Sequence, residues 1–187
     1  MTNIIKRILD RIASAAKQLE ETLDPEATVL EGFERSLQID TYSCGVQSTF
    51  MILRHFGKAR TALGVERALG TTEEGTDQYQ IRELLTKRGL IARRIQRPTI
   101  AKLRQAIDDG CPVLVCVDSK DIEGGHWAVV YGYSPGHVFV ADPSLRRAIL
   151  CRHTTEEFRS RWDKWAMIVE KQTIRRRRKP HRPGRER

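Results

Sequence analysis

The chain has four cysteines and five histidines, the residues best suited to nucleophilic chemistry, and their sequence surroundings are unequal. Cys44 follows Thr41 and Ser43, either of which offers an N-cap oxygen, and it opens a run with Val46, Phe50, Met51, Leu53 and Phe56 at helical spacing, ended by Gly57. A cysteine in the first turn of a helix lies among N–H groups that have no partner within the helix, a setting that favours a thiolate. A thiolate that attacks an acyl carbon needs a base to hold its proton, a group to orient that base, and donors for the oxyanion. Gly45 presents no side chain to obstruct a substrate carbonyl, and the Cys44 N–H is one candidate donor.

Histidine has the pKa the base requires. His55 lies in the same predicted helix, roughly 16 Å from Cys44 at about 1.5 Å per residue, and is too far to serve. His137 sits at a turn, His153 precedes a helix cap and His181 is near the C-terminus. His126 remains; it follows Gly124-Gly125 and opens the apolar strand HWAVVYGY, so it can face a cleft while its strand is anchored in the core. Asp142 ends the strand VFVAD, joined to the His126 strand through Ser134-Pro135-Gly136, and is the candidate to orient the imidazole. Asp118 is the weaker candidate, because the SKDIEGG segment after it can carry it away. Gln38, six residues before Cys44, offers an amide N–H₂ as a second oxyanion donor. Trp127 and Trp165 read as core or cleft-wall residues.

These residues depend on the elements around them. Ile5, Ile8, Ile12, Ala16, Leu19 and Leu23 recur at helical spacing and predict a helix ended by Asp24-Pro25, packed on the domain or on a second copy of itself. Helices are expected over 44–55, 62–69, 78–88 and 100–108, with a short strand at 90–95. From Pro112 onward the pattern changes to β-rich runs, 112–118, 126–133, 138–141, 148–151 and 166–170, interrupted by a helix at 154–162 that Thr154 and Glu157 begin with a capping box. Helices followed by antiparallel strands predict an α+β domain of two lobes with a cleft between them. The expected organisation is an N-terminal helix and linker over 1–29, the domain over 30–172, and a basic tail over 173–187.

The formal charge of +9 is concentrated in that tail. Residues 173–187 hold eight basic residues and one acid, leaving +2 for the other 172. Contact with a polyanion or anionic lipid is therefore expected of the tail, not of the domain. The cysteines show neither CxxC spacing nor the density of a disulfide scaffold, so reduced thiols are expected and neither a metal nor a cofactor. With no signal segment and no apolar run of membrane-spanning length, a cytoplasmic site is expected.

The segment QIDTYSCGVQSTFMILRHFG (38–57) resembles the active-site helix of the C39 family of bacterial cysteine peptidases, which have a papain-like fold. KRGL (87–90), GGHWAVV (124–130) and VFVADPS (138–144) agree with it. The resemblance implies Gln38 as oxyanion donor, Cys44 as nucleophile, His126 as base and Asp142 as orienter, acting on a peptide or protein substrate. It points to the free-standing members of the family, since the chain shows neither a membrane segment nor a nucleotide-binding motif; Ser43 also stands where exporter-linked members often carry an acid. Two other activities fit the same residues: a module that holds a peptide without cutting it, and an acyl transferase with an amine acceptor.

Overall fold

A computed structural model of the chain describes residues 2–22, 24–118, 125–145 and 151–172. The predicted tail at 173–187 and the predicted strand residues 148–150 lie outside these. The described residues form helices α1 (Thr2–Thr22), α2 (Cys44–His55), α3 (Ala62–Leu69), α4 (Gln78–Lys87), α5 (Ile100–Asp108) and α6 (Thr155–Arg161). The strands are β1 (Thr28–Val29), β2 (Leu90–Arg94), β3 (Val113–Val117), β4 (His126–Ser134), β5 (His137–Ala141), β6 (Arg152–Thr154) and β7 (Trp162–Lys171). The strands form one sheet in the order β2-β7-β3-β4-β5-β6, every neighbouring pair antiparallel, and β1 continues past the end of β3 along the same side of β4. This is the expected α+β architecture.

Helix α2 is buried from Cys44 through Leu53, so it lies inside the molecule instead of on its surface. Its Ser48 hydroxyl donates to the Trp127 carbonyl of β4 over 3.0 Å, which fixes the nucleophile's helix along the strand that carries His126. Strand β4 is held on both sides, by β3 through Val117↔His126 and by β5 through the Pro135-Gly136 hairpin, where Gly136 takes φ +75°. Strand β7 begins at Trp162, four residues before the expected strand, and is bulged against β3 between Cys116 and Val117.

Of the two arrangements expected for helix α1, its apolar stripe does not take the first, packing on the domain. The apolar stripe turns outward, with Ile5, Ile8, Ile12 and Leu19 each at least 52% exposed. The face against the body is polar: Lys6 Nζ reaches Asp10 at 2.8 Å and Ser36 Oγ at 3.2 Å, Asp10 Oδ1 accepts the Leu37 N–H at 3.0 Å, and the Lys17 ammonium lies 4.9 Å above the Tyr131 ring. The physical reason is the partner surface: residues 35–38 are irregular, and their backbone and side-chain polar groups need polar partners. The nearly neutral charge of the body is not evenly distributed either. Arg94, Arg97, Arg159 and Lys164 line a cavity of about 820 Å³ whose wall includes no acid.

The capping box at α6 is present as predicted: Thr154 Oγ1 accepts the Glu157 N–H at 3.1 Å, and Glu157 Oε2 accepts the Thr154 N–H at 2.7 Å. We expect Thr154→Ala to lower stability by ~1 kcal/mol, read as a lower urea midpoint with an unchanged transition slope.

Candidate active site

The four residues singled out from the sequence converge. Cys44, His126 and Gln38 line one depression of about 380 Å³, together with Ile39, Asp40, Thr41, Gly125, Ser144 and Leu145. His126 Nε2 is 2.7 Å from Asp142 Oδ1, and the imidazole also hydrogen-bonds the Cys44 side chain. With Nε2 given to the carboxylate, Nδ1 is the ring nitrogen that remains for sulfur. Asp142 is fully buried, and its Oδ1 also accepts the Ser144 N–H at 2.8 Å.

Burial alone would push the His126 pKa down. The hydrogen bonds to Asp142 and Cys44 and the charges of both more than offset this, and the pKa rises to about 9. Near neutral pH the imidazole therefore holds a proton beside the Cys44 sulfur.

The other cysteines have different surroundings. Burial, followed by a hydrogen bond with Asp163, pushes Cys116 up to about 12. Burial likewise raises Cys111, and Cys151 is fully buried with its sulfur 3.3 Å from Arg35 Nη1. His55 is half-buried against Phe33 and Phe56, and His137 Nδ1 lies 3.0 Å from the Pro135 carbonyl, so both stand apart from Cys44.

Gln38 Nε2 donates one hydrogen to the Asp40 carbonyl at 2.9 Å, which orients the amide and leaves its second hydrogen free for another acceptor. The Gln38 Oε1 is buried without a hydrogen-bond partner. Backbone contact also ties this residue to the histidine's partner strand, since the Gln38 N–H donates to the Pro143 carbonyl at 2.8 Å.

Several contributors were missed from the sequence. Ser43 occupies the N-cap position of α2 with no capping bond from its side chain, contrary to expectation. Asp40 does that work from three residues earlier: Oδ1 accepts the N–H groups of Tyr42 and Ser43 at 3.0 and 2.7 Å, and Oδ2 accepts the Ser43 hydroxyl at 2.8 Å. A single Asp thus braces the start of the nucleophile's helix and, through its carbonyl, the Gln38 amide; its spacing to Cys44 was the available signal. Arg35, buried, donates from Nε to the Asp142 carbonyl at 2.9 Å and from Nη2 to the same oxygen. Asp118 does not replace Asp142. It ends β3 with φ +59° and binds the Arg161 guanidinium through both oxygens, each at 2.9 Å.

Gly45 has a second role beyond leaving room for a carbonyl. A Cβ there would stand 2.7 Å from Thr76 Cβ and 3.1 Å from Trp127 Cδ1, so the glycine lets α2 approach the wall of the cleft. That wall continues with Trp127 and Trp165, whose rings meet edge to face 4.8 Å apart, as the cleft-wall reading expected.

An internal helix that opens on a cysteine, laid along an antiparallel sheet that supplies a histidine and an aspartate, is the papain-like architecture. The chain belongs to the peptidase C39 family, whose profile matches residues 33–174. It is similar to the lactococcin-G-processing and transport ATP-binding protein LagD of Lactococcus lactis subsp. lactis, at 28% identity over 125 residues, 67% of this chain and 17% of that protein. The chain thus spans less than a fifth of that relative. The crystal structure of the peptidase domain of Streptococcus ComA, a bi-functional ABC transporter involved in quorum sensing, aligns with a TM-score of 0.63 at 26% identity, covering 75% of this chain and 99% of that one. A double glycine motif protease from an AMS/PCAT transporter, solved with its leader peptide, shares the fold with a TM-score of 0.62 at 18% identity, covering 78% and 99%.

Two measurements follow from this geometry. At neutral pH iodoacetamide should modify Cys44 at least about tenfold faster than Cys111, Cys116 or Cys151, because alkylation proceeds through the thiolate; peptide mapping that finds Cys116 labelled as fast as Cys44 would contradict it. Because the folded state raises the His126 pKa from 6.5 to about 9, it binds the proton more tightly than the unfolded chain does. The resulting stability is complete below about pH 6.5 and is lost as pH rises toward about 9. Urea titrations across this window should show falling stability in the wild type and a flatter dependence in His126→Gln.

Proposed function

We propose that the chain is a cysteine peptidase in which Cys44 is the nucleophile, His126 the proton carrier, Asp142 its orienter, and Gln38 with the Cys44 N–H the oxyanion donors. The observation that carries this reading is the 2.7 Å bond from His126 Nε2 to the buried Asp142 carboxylate, made while the same ring bonds Cys44. At the moment of attack the thiol proton is on the imidazole. Sulfur attacks the peptide carbonyl, the S–C bond forms, and the π electrons move to oxygen, toward which Gln38 Nε2 and the Cys44 N–H can point. Collapse breaks the C–N bond as His126 delivers its proton to the leaving amine, leaving a thioester. Water then loses a proton to His126 and attacks the thioester, releasing the acid and restoring Cys44.

A peptide as substrate is supported by family membership and by the fold shared with the protease that was solved holding its leader peptide. Double-glycine leaders are therefore the first sequences to try. The outward apolar face of α1 supports a further assignment, self-association through that helix.

The test is a peptide library that includes double-glycine leaders, with products identified by mass spectrometry. Wild-type protein should yield free carboxylate products; Cys44→Ala should yield none, and Gln38→Ala should lower kcat by about 10²–10³-fold, the scale of a lost oxyanion donor. Capture of peptides without cleavage by the wild type would instead identify a binding module, and amine adducts would identify a transferase.

A further inference from the structure

The carboxylate that orients His126 is itself held from its far side. Asp142 Oδ1 faces the histidine, while Oδ2 lies 3.3 Å from Nη2 of Arg161, the last residue of α6. Arg161 is fixed by Asp118 at the end of β3, with Nε to Oδ1 and Nη2 to Oδ2 both at 2.9 Å. The backbone adds a reciprocal bond, Asp118 N–H to the Arg161 carbonyl at 2.8 Å. Asp118 adopts the left-handed region with φ +59°, a strained conformation for a residue other than glycine, which the double attachment to Arg161 helps to hold. The Asp118 and Asp142 side chains are 2% and 0% exposed, so neither carboxylate can rely on water for its charge.

We propose that Arg161 is a positioning residue of the active site: clamped by Asp118, it pins Oδ2 of Asp142 so that Oδ1 stays aimed at His126, and its positive charge limits how strongly Asp142 retains the imidazolium proton. The proposal rests on the assignment of Cys44 and His126 as the reactive pair. An aspartate with one free oxygen can rotate about its last torsion and offer either oxygen, or neither, to the imidazole; with both oxygens bound to partners on different elements it cannot. Charge adds a second effect. His126 meets Cys44 from α2 and Asp142 after β5, with Cys116 of β3 beside its backbone; Arg161 and Asp118 stand behind Asp142, Arg35 reaches His126 only through the Asp142 carbonyl, and Asp163 through Cys116. Arg161 is, among the described residues, a cation in contact with the Asp142 carboxylate itself. It keeps the Asp142–His126 attraction from making the imidazolium too weak an acid to protonate a leaving amine.

The test reads the sulfur directly and does not depend on knowing the substrate: the rate of Cys44 alkylation from pH 5 to 11, in wild type, Arg161→Lys, Arg161→Gln, Asp118→Asn and the double variant Asp118→Asn/Arg161→Gln. Removing a cation raises the pKa of its neighbours, so the alkaline inflection that marks loss of the His126 proton should move up by about one pH unit in Arg161→Gln. Arg161→Lys keeps the charge and should hold the inflection near its wild-type position, while its single ammonium cannot reproduce the two-point grip on Asp118 and slows alkylation. The single Gln variant leaves Asp118 buried without its partner. If it fails to fold, the double variant is measured against Asp118→Asn alone, which has already lost the same carboxylate charge; the step from the single to the double variant removes only the cation and should move the inflection up. An inflection within about 0.2 units of wild type in a folded Arg161→Gln variant, or of Asp118→Asn in the double variant, overturns the proposal, since a merely structural residue would change stability without moving it. If wild-type Cys44 is itself no faster than the buried cysteines at any pH, the reading of the reactive pair fails, and that result is distinct from failure of the clamp.

Discussion

A fully buried carboxylate is the constraint around which this domain is arranged. Removing an ionised carboxyl from water costs several kcal/mol even after relaxation, and the charge persists only where every lone pair has a partner. Among the described residues the Asp142 carboxylate is partnered by His126 from β4, the Ser144 N–H from its own turn and Arg161 from α6, while Arg35 binds its backbone carbonyl. Each partner is positioned by an element with a different reason to form. The histidine stands where β4 pairs with β3, the arginine ends a helix begun by a capping box, and Arg35 lies buried with its guanidinium also against the Cys151 sulfur. The site is in this sense the place where the fold satisfies its most expensive charge.

The nucleophile's side obeys a packing constraint. Helix α2 is buried almost all round, so the position of Cys44 is set by core packing against β4 and by the close approach at Gly45. Asp40 then settles the local chemistry, bracing the N–H groups that lead into the helix and steering the Gln38 amide with its own carbonyl. The helix is placed by apolar contacts and the donors beside it by polar ones, so the two can vary independently.

How much of this the sequence disclosed depends on the range of the interactions involved. Period-two and period-3.6 patterns made most helices and strands legible, and the Thr154/Glu157 box was readable because capping is local. Cys44, His126 and Asp142 were readable because each stands at a recognisable element boundary, next to a cap, a glycine pair or a proline. Arg35, Asp40 and Arg161 were not. An arginine that spans 107 residues to a carbonyl has no signature in spacing, and arginines are so abundant here that composition hides the buried one. Helix α1 was legible as a helix, while the choice between the domain and a second copy as the partner of its apolar stripe was left open, because periodicity identifies the apolar face and not which surface it meets. The two-residue strand β1 is too short to carry a pattern at all.

The strip Arg35 to Gln38 joins both lobes on one side of the cleft, with the Arg35 guanidinium on the Asp142 carbonyl and the Gln38 N–H on the Pro143 carbonyl. On the other side the segment before α4 meets the sheet through the Trp127 indole N–H, which donates to the Thr76 carbonyl at 2.9 Å, while Thr76 packs closely on Gly45 of α2. The two sides differ in character. On the first, a buried guanidinium and a short backbone bond join two stretches of irregular backbone; on the second, an indole hydrogen bond and a close approach to a glycine hold the contact. Because the hydrogen bond on that second side belongs to Trp127, indole fluorescence is a natural reporter of what happens there.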